Sequence, residues 1–249
     1  MCGIAGWYEA RGRDGAAATP LLAMLRQMTP RGPDDAGHVE VLPRQCVGRW
    51  LLGACRLAIL DLSAAGHQPM HDPQTGNWLV YNGEIFNFGE LRGELEAAGC
   101  TFRSNCDTEV LLHGYRVWGE DVLHRARGMF AFGMWDEARQ MLLLARDRLG
   151  IKPVYYWQQA QRFLFASELR ALLESGLVPR ELDATGLDSF LKFGAVQEPA
   201  TLIRDIRLLP AGHLLRWSAA ADIEIERYWS LPAEGVAANG SAAERKRHI

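Results

Sequence analysis

Met1-Cys2-Gly3-Ile4-Ala5-Gly6-Trp7-Tyr8 opens the chain, and the reading of this stretch decides the fold. Cysteine is small enough for methionine aminopeptidase to remove the residue before it, so a processed chain begins with Cys2 and carries a thiol and a free α-amine on one residue. An α-amine titrates near about 7.7–8.0 and a thiol near about 8.5, so close to neutrality the amine can take the thiol proton. One residue then serves as nucleophile and base. The plainer alternative is a small residue near a chain start with no chemical role. The apolar run behind it, with two glycines, reads as a strand that carries the terminus into a core.

Composition limits what such a terminus can belong to. With 249 residues and 48% hydrophobic side chains, the chain can bury a substantial core. A net charge of -3 with scattered basic residues leaves no stripe for nucleic acid or an anionic membrane, and neither is expected as a partner. Five cysteines, at 2, 46, 55, 100 and 106, form no C-x-x-C pair. Their odd number and spacing argue against a disulfide framework and a zinc site, and no metal is expected. Reduced thiols fit a cytoplasmic location. No apolar run approaches about 18 residues, and the N-terminus has no leader pattern.

Working outward from the first strand, residues 11 to 18 read as a polar loop, and Thr19-Pro20 as N-cap and N1 of a helix with Leu21, Met24, Leu25 and Met28 on one face. Strands are expected at Val39 to Leu42, Gly48 to Leu52, Leu57 to Leu60 and Trp78 to Tyr81, the last running into an Asn82-Gly83 hairpin turn. Helical periodicity returns at Phe88 to Ala98 and at Asp107 to Trp118. An antiparallel pair follows at Met129 to Trp135 and Met141 to Ala145, then strands near Val154 to Trp157 and Phe163 to Ala166, and helices near Ser167 to Glu174 and Ala184 to Phe193. Strands grouped around blocks of helix indicate α+β layers with mainly antiparallel sheets.

Several groups can form a site with Cys2, and each has an ordinary structural reading. Arg31, in Arg31-Gly32-Pro33-Asp34, can tie a loop to a carboxylate. Arg56, between Cys55 and an apolar run, needs an anionic partner, which a bidentate carboxylate ligand or an internal salt bridge supplies equally well. Asn82 and Gly83 offer an amide and a backbone N–H to one oxyanion, or form a type I′ turn. Glu84 and Asp107 can receive an ammonium, although Asp107 also matches a helix N-cap. Together they describe a pocket for a free amino acid beside a thiol.

The ordered blocks Met1-Cys2-Gly3-Ile4, Arg31-Gly32-Pro33-Asp34, Arg56 to Asp61, Asn82-Gly83-Glu84-Ile85 and Asp107-Thr108-Glu109 resemble the glutaminase domain of class II glutamine amidotransferases of the asparagine synthetase type. Gly128 to Phe132, Arg146 to Pro153 and Phe165-Ala166-Ser167-Glu168 extend the resemblance over roughly residues 2 to 230. It implies an N-terminal nucleophile (Ntn) hydrolase fold, a four-layer αββα sandwich with two stacked antiparallel sheets, in which Cys2 attacks the glutamine side-chain amide. Carried over residue by residue, Arg56 holds the α-carboxylate, the backbone of Leu57, Ala58, Ile59 and Leu60 lines the pocket, Asn82 and Gly83 form the oxyanion hole, and Glu84 with Asp107 binds the α-amine. Arg31 orders the site.

The resemblance divides the chain into a glutaminase domain at 2–195, a lead-in segment at 196–230 and a linker or truncated start of an ATP-pyrophosphatase domain at 231–249. No Ser-Gly-Gly-x-Asp-Ser loop is present, so a fragment, a truncated frame or one half of a split enzyme is expected, with L-glutamine and a synthetase domain or subunit as partners and a homodimer as one assembly it allows. No cofactor is expected in this chain; ATP and Mg belong to the absent synthetase domain. The chain departs from the usual pattern at Pro30 and at Ala54-Cys55, which bears on the pocket wall. Two competitors stand beside ammonia supply for asparagine synthesis: a glutaminase serving another amide acceptor, and a catalytically idle glutamine sensor.

Overall fold

A computed structural model describes residues 1–10, 18–44 and 48–231. All but the last residue of the expected loop at 11–18, Cys46 and all but the first residue of the expected linker at 231–249 lie outside the described residues. In chain order the elements begin with β1 (Gly3–Ala10), α1 (Thr19–Met28), β2 (Asp35–Val41), β3 (Gly48–Arg56), β4 (Met70–His71), β5 (Trp78–Ile85), α2 (Phe88–Ala97), α3 (Asp107–Trp118) and α4 (Val122–Arg125). They continue with β6 (Gly128–Asp136), β7 (Met141–Arg146), β8 (Tyr155–Gln159), β9 (Arg162–Ala166), α5 (Leu169–Glu174), α6 (Ala184–Phe193), β10 (Ile206–Leu208), β11 (His213–Ser218) and β12 (Ala221–Arg227).

Among the described residues these strands form two six-stranded antiparallel sheets, ordered β10-β8-β9-β1-β3-β2 and β12-β11-β7-β6-β5-β4. Strand alternation assigns each side chain to a layer. Along β1, Ile4 and Tyr8 face the second sheet, while Ala5 and Trp7 face α1 and α5. Along β5, Val80 points between the sheets and Leu79 and Tyr81 point toward α2 and α3. Apolar faces on both sides of each sheet force a helix layer onto each outer face, which gives the four-layer αββα order. No helix among the described residues is long and apolar enough to cross a membrane.

The layer between the sheets is dominated by aromatic rings around Trp50, which is fully buried. Its ring lies 5.1 Å from Trp217, edge-on, and 5.4 Å from Tyr8. Trp50→Ala is expected to cost about 3–5 kcal/mol through the cavity it leaves, read as a lowered urea midpoint with an unchanged slope. Because Trp50 pairs with Tyr8, at the far end of β1 from Cys2, the folded fraction should keep its activity.

Local expectations fail where tertiary partners take the backbone. Leu57 to Leu60 is not a strand: the N–H groups of Leu57 and Ala58 go to the Cys2 thiol and the Asp34 carboxylate instead of a ladder. Asn82-Gly83 is not a turn, because β5 runs straight through it and pairs Asn82 with Ala131 and Gly83 with Phe130. A side chain at Gly83 would lie 2.5 Å from the Met129 carbonyl oxygen, so close strand approach is what this glycine permits. Asp107 does not cap α3: Cys106 holds the cap position, and the Asp107 carboxylate turns to β5. Thr19 is the first helical residue of α1, with Ala18 before it. Residues 206–227, inside the expected lead-in segment, supply β10 to one sheet and β11 and β12 to the other.

Candidate active site

Cys2 lies one residue ahead of β1, and the pairing of Gly3 with Cys55 brings it beside the end of β3. Two neighbours hold this end of the chain. Ile4 N–H donates to Ser167 Oγ at 3.0 Å and Ser167 N–H donates to the Ile4 carbonyl at 2.9 Å. Arg31 Nε donates to the Cys2 carbonyl at 2.9 Å, while its Nη1 pairs with Glu168 at 3.0 Å. The Arg31-Gly32-Pro33-Asp34 loop in turn wraps the end of β3. Gly32 sits so close to it that an added Cβ would be 2.4 Å from the Cys55 carbonyl oxygen. Asp34 N–H donates to the Arg56 carbonyl, and the Asp34 carboxylate accepts from Ala58 N–H at 2.9 Å. The segment so fixed offers Leu57 N–H to Cys2 Sγ at 3.4 Å.

A cavity of about 180 Å³ opens on the thiol, below the size of drug-binding pockets and on the scale of an amino acid. Cys2, Arg56, Leu57, Ile59, Leu60, Asn82, Gly83, Glu84 and Asp107 all line it. Ala58 and Arg31 do not; they anchor the wall and the terminus from behind. Arg56 is buried and makes no ion pair among the described residues. Its guanidinium donates to the carbonyls of Ser63 and Asp61, which locks its orientation without placing a carboxylate within ion-pair distance. Asp61 also accepts from the N–H groups of Ser63 and Asn105, and these bonds, the Ser63 side chain first, lower its carboxyl to about 2.

β5 builds the opposite wall, and its free edge is the central feature of the site. Beyond Leu79 the short strand β4 no longer covers it. In an antiparallel strand, alternate N–H groups point to the same edge. Tyr81 N–H donates outward to Gln68 Oε1 at 2.7 Å, and Ile85 N–H donates outward to Asp107 Oδ2 at 2.9 Å. Gly83 N–H, between them, shares that direction and faces the cavity. Beside it Asn82 is 1% exposed, and its Nδ2 has no hydrogen-bond partner among the described residues. Two adjacent donors are thus left for one acceptor that the protein does not supply.

Charges of both signs line the cavity, Arg56 from β3, Glu84 from β5 and Asp107 from α3. Burial raises the Asp107 carboxyl, although the Tyr81 hydroxyl at 2.6 Å and the Ile85 N–H pull it back. Neither Asp107 nor half-buried Glu84 has a cationic partner among the described residues, so an ammonium placed between them would be stabilised. Burial likewise raises the Cys2 thiol, against lowering by the Leu57 backbone. Gln68, Tyr81, Cys106 and Lys152 also line the cavity without having been singled out from sequence. Tyr81 and Gln68 carry no local signal, and Lys152 sits in a quoted block that gave it no role.

Residues 1–229 match the family described as the glutamine amidotransferase domain. The chain is 37% identical over 240 residues to asparagine synthetase (glutamine-hydrolyzing) 3 of Bacillus subtilis, covering 94% of this chain and 37% of that protein. It is 35% identical over 201 residues to amidase chyE of Penicillium rubens, covering 81% of this chain and 28% of that protein. Among solved structures, the glutamine phosphoribosylpyrophosphate amidotransferase of B. subtilis superposes with a TM-score of 0.65 at 19% identity, over 92% of this chain and 49% of the other. That likeness shows the fold, the sandwich of two antiparallel sheets between helix layers. The chain spans little more than a third of the length of the curated synthetase it matches.

Proposed function

The chain belongs to the glutamine amidotransferase domain family, and from that premise we propose that it hydrolyses the side-chain amide of L-glutamine, with Cys2 as nucleophile. The observation that carries the reading is Asn82 Nδ2, a buried donor with no partner among the described residues, beside Gly83 on the open edge of β5 in the cavity that opens on the thiol. Donors fixed in advance at a place where negative charge develops stabilise a tetrahedral intermediate without reorganising.

With Met1 removed, the α-amine of Cys2 takes the thiol proton, directly or through a water, and Sγ attacks the amide carbon. The oxyanion is held by Asn82 and Gly83. The protonated amine then gives its proton to the departing nitrogen, ammonia leaves, and a γ-glutamyl thioester remains. The same amine activates water, which releases glutamate and restores the thiol. Arg56 receives the α-carboxylate, and Asp107 and Glu84 the α-ammonium. All steps are assigned to groups of the chain itself. The ammonia acceptor is proposed to be the carboxylate substrate of a synthetase part, as in the synthetases the chain resembles.

The test is glutamate release from glutamine by the purified chain, with the N-terminal mass measured in the same sample; a chain that has lost Met1 yet releases no glutamate would refute the reading. Arg56→Met is expected to raise KM for glutamine on the order of 10²-fold with little change in kcat. It removes a contact common to ground and transition states. A loss confined to kcat would contradict the carboxylate role.

A further inference from the structure

The loop between β7 and β8 holds a charge that the mechanism above leaves unused. Asp147 is fully buried, and one of its oxygens accepts from the N–H groups of Leu149 and Ile151 while the other accepts from those of Lys152 and Phe130. Arg146, also buried, donates to the carbonyls of Gly150, Lys152 and Leu209 and clasps Glu198 with two N–H groups. Two adjacent side chains therefore fix the whole turn. A loop held this firmly can keep a long side chain inside a cavity instead of releasing it to water.

That side chain is Lys152. It is 5% exposed, lines the same cavity as Cys2, and has no carboxylate within ion-pair distance among the described residues. The contact recorded for Nζ is the Met1 thioether sulfur at 3.1 Å, a weak acceptor. A buried ammonium with so poor a partner is costly. Removal of Met1 takes away even this contact and leaves the ammonium in the cavity that Cys2, then the new terminus, also lines.

We propose that in the processed chain Lys152 is a positioning residue whose ammonium keeps the α-amine of Cys2 in its unprotonated, basic form; this rests on the reading of Cys2 as nucleophile. A like charge nearby disfavours protonation of an amine. The other charged and titratable groups around Cys2 are Cys55 and Arg56 from β3, Asp61 from the loop after it, Tyr81 and Glu84 from β5, Cys106 and Asp107 at the start of α3, and Arg31 behind the Cys2 carbonyl. Bound glutamine answers Arg56 with its carboxylate and Asp107 and Glu84 with its ammonium. Arg31 is paired with Glu168, and the carboxylates that hold the Lys152 turn, Asp147 and Glu198, are taken up by backbone N–H groups and by Arg146. Of the three cations around Cys2, Lys152 is the one with neither an ion pair among the described residues nor a role in holding the substrate.

The test is the pH dependence of kcat, at saturating glutamine, for glutamate release by the 249-residue chain and its Lys152→Met and Lys152→Arg variants, each checked by mass for loss of Met1. In Lys152→Met the acid limb is expected to move up by about one pH unit, so the rate near pH 7 falls about tenfold and converges with wild type near pH 9. Lys152→Arg, which keeps the charge, should leave the limb in place. Lys152→Gln serves if the methionine variant does not fold. An unmoved limb in an active neutral variant, or a loss equal at every pH in both charged and neutral variants, overturns the inference while leaving glutamine hydrolysis intact. A processed wild-type chain that releases no glutamate removes the premise, and this inference with it.

Discussion

Glutamate release by Cys2→Ala is expected to fall on the order of 10⁶-fold, to the limit of detection, while glutamine binding by calorimetry stays within about threefold, less than 1 kcal/mol. The thiol's two backbone contacts are both with Leu57, and the residues proposed to hold the amino-acid ends of the substrate do not depend on it. Another thiol does line the cavity. Cys106 Sγ, however, is 2.9 Å from Ser104 Oγ, its ionisation is pushed up by burial, and it has no amine of its own. A residual rate in Cys2→Ala that vanished on replacing Cys106 as well would reassign the nucleophile. The direction of the Cys2 shift adds a second arm. Burial holds the thiol above its ordinary value, so it stays protonated at neutral pH and needs a base in contact. An uncleavable residue placed ahead of Cys2 should therefore abolish hydrolysis as completely as removing the thiol.

How much of this was legible in the sequence differs by scale. The alternation of Ile4 and Tyr8 against Ala5 and Trp7, and the helical faces of α1 and α3, specify layers, and the structure has those layers. Elements defined by local turn chemistry were less secure. Asn82-Gly83 has the composition of a hairpin turn, yet pairing with β6 holds both residues extended. Asp107 has the composition of a cap, yet the Tyr81 hydroxyl and Ile85 N–H offer its carboxylate better partners than its own helix does. In each case a long-range contact outweighs a local preference of about 1 kcal/mol. Nine of the expected site residues were named as a set through motif order, because no periodicity places Arg56 and Asn82 on facing sheets. Gln68 escaped notice for the opposite reason. Its contribution is to occupy Tyr81 N–H from a distant loop, and only the folded edge of β5 reveals that the next outward N–H is then left for a ligand.

That edge yields the prediction that best separates chemistry from structure. Asn82→Ala is expected to lower kcat by about 10²–10³ with little change in KM, because its amide meets an oxygen that carries charge only during the reaction. A buried Asn usually stabilises a fold through its hydrogen bonds, and removing it then costs about 1–3 kcal/mol. Here Nδ2 has no partner to lose among the described residues. Deleting it removes a desolvated, unsatisfied donor, so the variant should be no less stable than wild type, or slightly more so, in urea. Gly83 cannot report in the same way, since any side chain there would strike the Met129 carbonyl and disturb the strand. Asn82→Asp sharpens the contrast: it nearly preserves shape but replaces a donor with a negative charge facing the oxyanion, and should fall below the alanine variant in kcat. Loss of stability together with an unchanged kcat would mean that Asn82 serves the sheet and that the oxyanion is met elsewhere. Loss of kcat at full stability would mean that the fold carries a buried unpaired amide because the transition state completes it.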